Sequence, residues 1–207
     1  MKNIDKLKMP YFRVIKYPVT KPEKNLQIHG AKPLHEDEFT NSFIKVYQKK
    51  YLDIHSRSIK KNTLLIRNFP VAGNGIADIL GISWPSEMEH DFPLISELGN
   101  YSPTIRAFEL KISNWKKGLM QAHRYRYFSH ASILVVPMNK FKLIRSNIDL
   151  FKTLNIGIWF FDPAKEQINN FFTPRPNYSS YKSNIQKAIQ QSSQIALAEF
   201  RLFPKFS

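Results

Sequence analysis

Cysteine is absent from the 207-residue sequence, which excludes disulfides and thiolate metal sites and suits a reducing cytoplasm. Acidic residues are scarce: 16 Asp and Glu stand against 31 Lys and Arg, a formal net charge of +15. That excess speaks to partners rather than to fold, and a polyanion, nucleic acid first, is the expected one. An acidic membrane surface usually calls for an amphipathic helix with basic and bulky apolar faces, whereas here the basic residues are spread along the chain. Long apolar runs are also missing. The longest, ILVVPM and IGIWFF, are far too short to span a bilayer, and MKNIDKLKMPYFRVIKYPV holds no uninterrupted apolar segment of a secretion signal. A soluble, cytoplasmic protein with no membrane partner is expected. There is no internal repeat, P-loop lysine signature, GxSxG elbow or zinc motif, so no ATPase of the chain's own is expected. The six histidines show no tight metal-ligand spacing. Gly73 and Gly75 precede a strand rather than a helix and read as a turn.

With 43% hydrophobic and 14% aromatic residues, the chain can bury one substantial core. Residues 1–33, rich in Lys and Pro, read as an extended basic arm. Glu36, Phe39, Phe43, Val46 and Tyr47 recur at helical spacing behind an acidic first turn. Strands are expected at 63–70, 75–82, 104–112, 131–137, 155–162 and 167–172, the first two as a hairpin. Residues 83–104 read as a long connection, 114–130 as a helix capped by Asn114, and 138–153 as weakly helical. After the TPRP break, 178–201 form a helix with Ile185, Ala188, Ile189, Ile195 and Leu197 as docking candidates.

Carboxylates fall where an apolar core is expected. Strand alternation puts Phe108, Leu110 and Ile112 on one side and Glu109 and Lys111 together on the other. At an exposed edge this would be a solvated ion pair of little worth, but a strand entering a helical crossover lies inside a sheet. Asp78, within GIADILGI, would be a costly buried charge unless compensated. A hard divalent cation does so, since Mg²⁺ or Mn²⁺ accepts one or two carboxylates and keeps its other positions for water and phosphate. Lys111 would then orient or help deprotonate a water. On the following helix, Gly118 and Ala122 permit close approach to the sheet, while Gln121 and Tyr125 project together one turn apart.

Asp78, then Glu109-Leu110-Lys111, then Gln121-Ala122-His123-Arg124-Tyr125, resembles the PD-(D/E)XK nuclease superfamily of restriction-endonuclease-like fold. The E-x-K followed by a QxxxY helix is similar to its RecB-type branch. The resemblance covers roughly 35–172, although Ala77 stands where the family name has proline. It implies an α/β fold with a central mixed sheet of about four to five strands flanked by helices. The chain then divides into a basic N-terminal arm (1–33), a nuclease domain (34–172) and a C-terminal helical extension (173–207). It further implies Asp78 and Glu109 as metal ligands, Lys111 as the catalytic lysine, and Gln121 and Tyr125 as the supporting pair. Mg²⁺ or Mn²⁺ would be the cofactor, and the activity that of a deoxyribonuclease, an endonuclease on DNA. The family often adds a glutamate from its first helix; Glu36, on the face of Phe39 and Phe43, is favoured over Glu38. Lys116, Lys117, Arg124 and Arg126 are the first candidates for DNA backbone contacts. A homodimer, or a subunit of a larger nucleic-acid-processing complex, fits the small size. The alternatives are a non-catalytic DNA-binding subunit of a mobile-element or defence assembly, and a basic domain whose E-x-K is a surface pair.

Overall fold

The structure, a computed structural model, describes residues 12–16, 35–55, 61–71, 75–85, 103–178 and 181–202. Among these, seven strands pair into one mixed sheet in chain order: β1 (Phe12–Lys16), β2 (Lys61–Val71), β3 (Gly75–Pro85), β4 (Thr104–Leu110), β5 (Ala131–Pro137), β6 (Gly157–Asp162) and β7 (Gln167–Phe172). All six expected strands are present. The seventh, β1, lies within the stretch read as an arm and pairs in parallel with Thr63–Arg67, so the sheet is wider than the four to five strands expected. The pairs β2/β3, β3/β4 and β6/β7 are antiparallel, whereas β4/β5 and β5/β6 are parallel, each parallel step being spanned by helix as crossover geometry demands. At the β2/β3 hairpin Val71 pairs with Gly75, whose φ of 85° is open to glycine alone without strain.

One face of the sheet is covered by α1 (Glu36–His55). Its Phe39, Phe43, Val46 and Tyr47 meet Leu65, Ile79, Phe108, Leu110, Val135, Trp159 and Phe161. Phe108 is ringed there by Phe43, Tyr47 and Trp159, with centroids 5.3–5.8 Å apart, the separation at which tilted aromatic pairs add to burial. The other face carries α2 (Trp115–Tyr125), with the short α3 (Phe141–Arg145) and α4 (Ile148–Leu154), on the β5 and β6 side. Over β2 to β4 it carries α5 (Lys182–Leu202), whose Ile185, Ala188, Ile189 and Ala196 seal Leu64, Ile66, Leu80, Ile82 and Ala107. Ile195 is partly buried against the same cluster, and the side chain of Leu197 lies outside the described residues. The result is three layers, helix, sheet, helix, with an apolar core on each side of the sheet.

Two elements end earlier than their apolar pattern suggests. Helix α2 stops at Tyr125 rather than 130, because the side chains of Ser132 and Ser129 take the free carbonyls of Ala122 and Tyr125. His130 then pairs with Ile105: its backbone N–H donates to the Ile105 carbonyl and its Nδ1 accepts the Ile105 N–H. Strand β4 ends at Leu110, and Ile112, expected in the core, is half-buried beyond it. Most of the connection expected at 83–104 lies outside the described residues, its first residues continuing β3.

Candidate functional site

The apolar run around Asp78 shows no clean alternation because β2 and β3 reverse faces at this point. Leu64 and Ile66 point toward α5 and Leu65 toward α1, yet Phe69 again points toward α5. On β3, Leu80 and Ala77 face α5 and Ile79 faces α1. The reversal sits at Asn68, whose φ is 52°, and at Asp78, which stands across from it in a register running from Arg67↔Ile79 to Phe69↔Ala77. Asparagine tolerates the left-handed conformation better than most residues. Ladder pairing of β3 with β4 stops at Ile79↔Phe108. The Asp78 carboxylate then takes over as acceptor, and the Leu110 N–H donates to its Oδ2 at 2.8 Å. Asp78 is thereby locked against the residue between Glu109 and Lys111.

Glu109 faces α2 and is fully buried. The Tyr125 hydroxyl lies 2.5 Å from its Oε2 and 2.7 Å from the Ile76 carbonyl. One phenol proton cannot serve both acceptors fully, and a protonated Glu109 would complete the chain by donating to Tyr125. Burial first, then the nearby Asp78, push the Glu109 carboxyl from 4.5 up to about 7, while Lys111 and Tyr125 pull it back. Burial, with Glu109 and Asp78 behind it, raises the Tyr125 phenol as well, so the ring stays neutral and acts as a donor.

Lys111 follows the last residue of β4, and its N–H continues the parallel pairing onto the Val135 carbonyl at 3.0 Å. Its ammonium sits 2.8 Å from Glu109 Oε1 and 3.6 Å from Glu36 Oε2. That ammonium is what faces the buried Oε1 and compensates its charge. Burial acts to lower the Lys111 pKa, but Glu109, Asp78 and Glu36 outweigh it and raise it to about 12. The stem of Lys111 runs beneath Gly118: a Cβ there would lie 2.7 Å from Lys111 Cγ and from Leu134 Cδ1. α2 is thus held close to the sheet where it crosses the lysine. Asn114 caps this helix through the Lys117 N–H, and Trp115, Gly118, Leu119, Ala122 and Tyr125 form its buried stripe.

The fold therefore brings Asp78, Glu109, Lys111, Tyr125 and Glu36 together at the carboxyl end of β4, where residues from both helical layers meet past the end of a strand. Gln121 is half-buried on the same helix, with its Oε1 buried and without a hydrogen-bond partner, and it is not joined to Tyr125 or Lys111 by a hydrogen bond. Lys116, Lys117 and Arg124 are exposed, whereas Arg126 is turned inward to donate to the Leu154 carbonyl at 2.8 Å. The donors suit a hard divalent cation in type, since two carboxylates match the few protein ligands that Mg²⁺ takes, although the Lys111 ammonium faces Glu109 Oε1 here. Among the described residues no group of three or more His, Cys, Asp or Glu is placed to hold a metal ion, so Glu36 does not complete a three-carboxylate set with Asp78 and Glu109.

Sequence reasoning passed over three contributors. The Leu110 N–H and the Ile76 carbonyl are backbone groups with no side-chain signature. Arg67 did leave one, a charge inside the apolar run TLLIRNF. Its buried guanidinium bridges Asp37 at 2.9 Å and Asn41 at 2.5 Å on the first turns of α1, next to Glu36. Comparison of the chain with models of known protein families, with curated proteins and with solved structures finds no match.

Proposed function

We propose that the chain is a divalent-metal-dependent nuclease of restriction-endonuclease-like fold that hydrolyses phosphodiester bonds in DNA. The observation that carries this reading is the junction of Asp78, Glu109 and Lys111 at the end of β4, with Tyr125 fastened to Glu109. Asp78 and Glu109 would hold Mg²⁺ or Mn²⁺, with Glu36 facing Lys111 from α1. The bound ion would supply charge to neutralise the phosphate and acidify a water. Lys111, with its pKa raised to about 12, is a cation at neutral pH. It would donate hydrogen bonds that orient a water or steady a phosphate oxygen. Tyr125 fixes the rotamer of Glu109, and the exposed Lys116, Lys117 and Arg124 supply the field that draws in the phosphate backbone.

The experiment is incubation of the purified protein with supercoiled, linear and single-stranded DNA, with and without Mg²⁺ or Mn²⁺, beside Lys111→Ala. Metal-dependent cutting lost in the variant is expected; no cutting, or equal cutting by the variant, refutes the proposal. One observation favours a second reading, a DNA-binding subunit without catalysis: the Lys111 ammonium itself lies against Glu109 Oε1. Salt-sensitive DNA binding without cleavage, with affinity unchanged in Asp78→Ala, would establish that one.

A further inference from the structure

We propose that an exposed tyrosine pair at the far end of α2, Tyr127 with Tyr181, is a stacking platform for the unpaired bases of a nucleic-acid strand whose phosphates run along α2. The rings lie 4.7 Å apart, tilted by 59°, and are 38% and 47% exposed, so neither is spent on the core. Beside them Tyr178, 55% exposed, leans on His130 at 4.8 Å. The Asn177 N–H bonds the His130 carbonyl at 2.8 Å, which fixes the two segments side by side. Three of the six large apolar or aromatic side chains exposed among the described residues are thus gathered in one corner.

Tyr181 supplies an independent observation. Its φ of 57° lies in the left-handed region, which disfavours a bulky aromatic residue. The Tyr181 carbonyl receives the N–H groups of Asn184 and Ile185, a task any residue performs, and glycine or asparagine would hold the same turn with less strain. What tyrosine adds there is an exposed ring.

Charge selects the partner. Lys117, Met120, Arg124 and Tyr127 follow one another at three- and four-residue steps and are all exposed, so they form one ridge of the helix and the turn that follows it. That ridge leads from the region where Gly118 lies over Lys111 to the tyrosines, with Arg175 and Lys182 exposed beside them. Aromatic faces set among cations on a chain of net charge +15 fit bases and phosphates; protein-binding patches also favour tyrosine and arginine but are depleted of lysine, and here Lys117 and Lys182 are exposed.

The inference shares its nucleic-acid partner and the cations Lys117 and Arg124 with the nuclease reading, and holds whether or not the chain cuts. It is tested in chelator, without divalent ions, so an absence of cleavage leaves the result readable. Fluorescence anisotropy follows binding of the full chain to labelled oligothymidylate and to an abasic strand of equal length. Wild type should prefer oligothymidylate. Tyr127→Ala and Tyr181→Gly should each weaken that binding by about 5- to 150-fold and leave the abasic strand unaffected, while Tyr127→Phe should bind as wild type does. Glycine at 181 relieves strain, so that variant folds and its loss of binding is a loss of the ring. Equal affinity of wild type for the two strands overturns the proposal, as does wild-type affinity in the folded double variant. Binding to neither strand also overturns it.

Discussion

Glu109→Gln isolates the cost of the buried carboxylate. In the folded chain burial and Asp78 lift the Glu109 carboxyl from 4.5 to about 7. A raised pKa means that the folded state holds its proton more tightly than the unfolded chain does. The associated stability is fully present below pH 4.5 and is lost as pH rises through 7. At 1.36 kcal/mol for each pH unit of displacement, the loss is on the order of 3 kcal/mol. Glutamine cannot titrate, so the variant lacks this term at every pH. The pull of Lys111 on the ionised form is already contained in that value of about 7 and needs no separate correction. The clean quantity is therefore the stability of the variant minus that of wild type, from urea unfolding in chelator at a series of pH values. Between pH 4.5 and 8 it should move by about 3 kcal/mol in favour of glutamine. A difference that is flat over this range would refute the account of a carboxylate strained by burial. Saturating Mg²⁺, if Asp78 and Glu109 bind it, should flatten the wild-type profile, since a bound cation favours the ionised form.

Gly118→Ala should gain about 1 kcal/mol of helix propensity and lose about 1–3 kcal/mol to overpacking against Lys111 and Leu134. A variant near wild-type stability but with sharply reduced cleavage would show that the lysine has moved; unaltered cleavage would refute a tight seat for it. Asp37→Ala, which removes an anion from buried Arg67, should cost about 2 kcal/mol. Asp149→Ala, breaking the exposed pair with Lys152, should cost close to nothing, and equal effects in urea unfolding would contradict this ranking. His130 is held below its ordinary 6.5 by burial and then by Arg106, and its neutral Nδ1 accepts the Ile105 N–H. Its contribution is complete above pH 6.5 and lost as pH falls through the lowered value. The His130 ring proton resonance should accordingly titrate below 6.5, and the acid-side loss of stability should shrink in His130→Asn.

The residues gathered at the end of β4 were legible because their types conflict with their surroundings. Asp78 interrupts GIADILGI, Glu109 and Lys111 interrupt a core strand, and Gly118 and Ala122 mark a helix built to lie close. Arg67 carried the same kind of signal and went unread because its partners, Asp37 and Asn41, sit on a helix face that looks solvated. Other features have no local trace. β1 is a strand only through its pairing with Thr63–Arg67, in a stretch whose own composition of lysine and proline suggests an arm. The end of α2 is set by Ser129, Ser132 and the pairing of His130 with Ile105, while the apolar pattern runs on through Phe128. Gln121 and Tyr125 look equivalent in the sequence, yet only the tyrosine has the reach to bond Glu109.

The place of α5 in the order of synthesis has a consequence of its own. Leu64, Ile66, Leu80 and Ile82 leave the ribosome about a hundred residues before the helix that covers them. At 5–20 residues each second, that face stays bare for roughly 5–20 s in every round of translation. During that interval the nascent sheet is an aliphatic surface with no lid, open to other chains and to any chaperone that binds such surfaces. The full three-layer fold closes only after 182–202 has been made, so substitutions at Ile185 or Ile189 should reduce soluble yield in the cell more than their effect on equilibrium stability suggests.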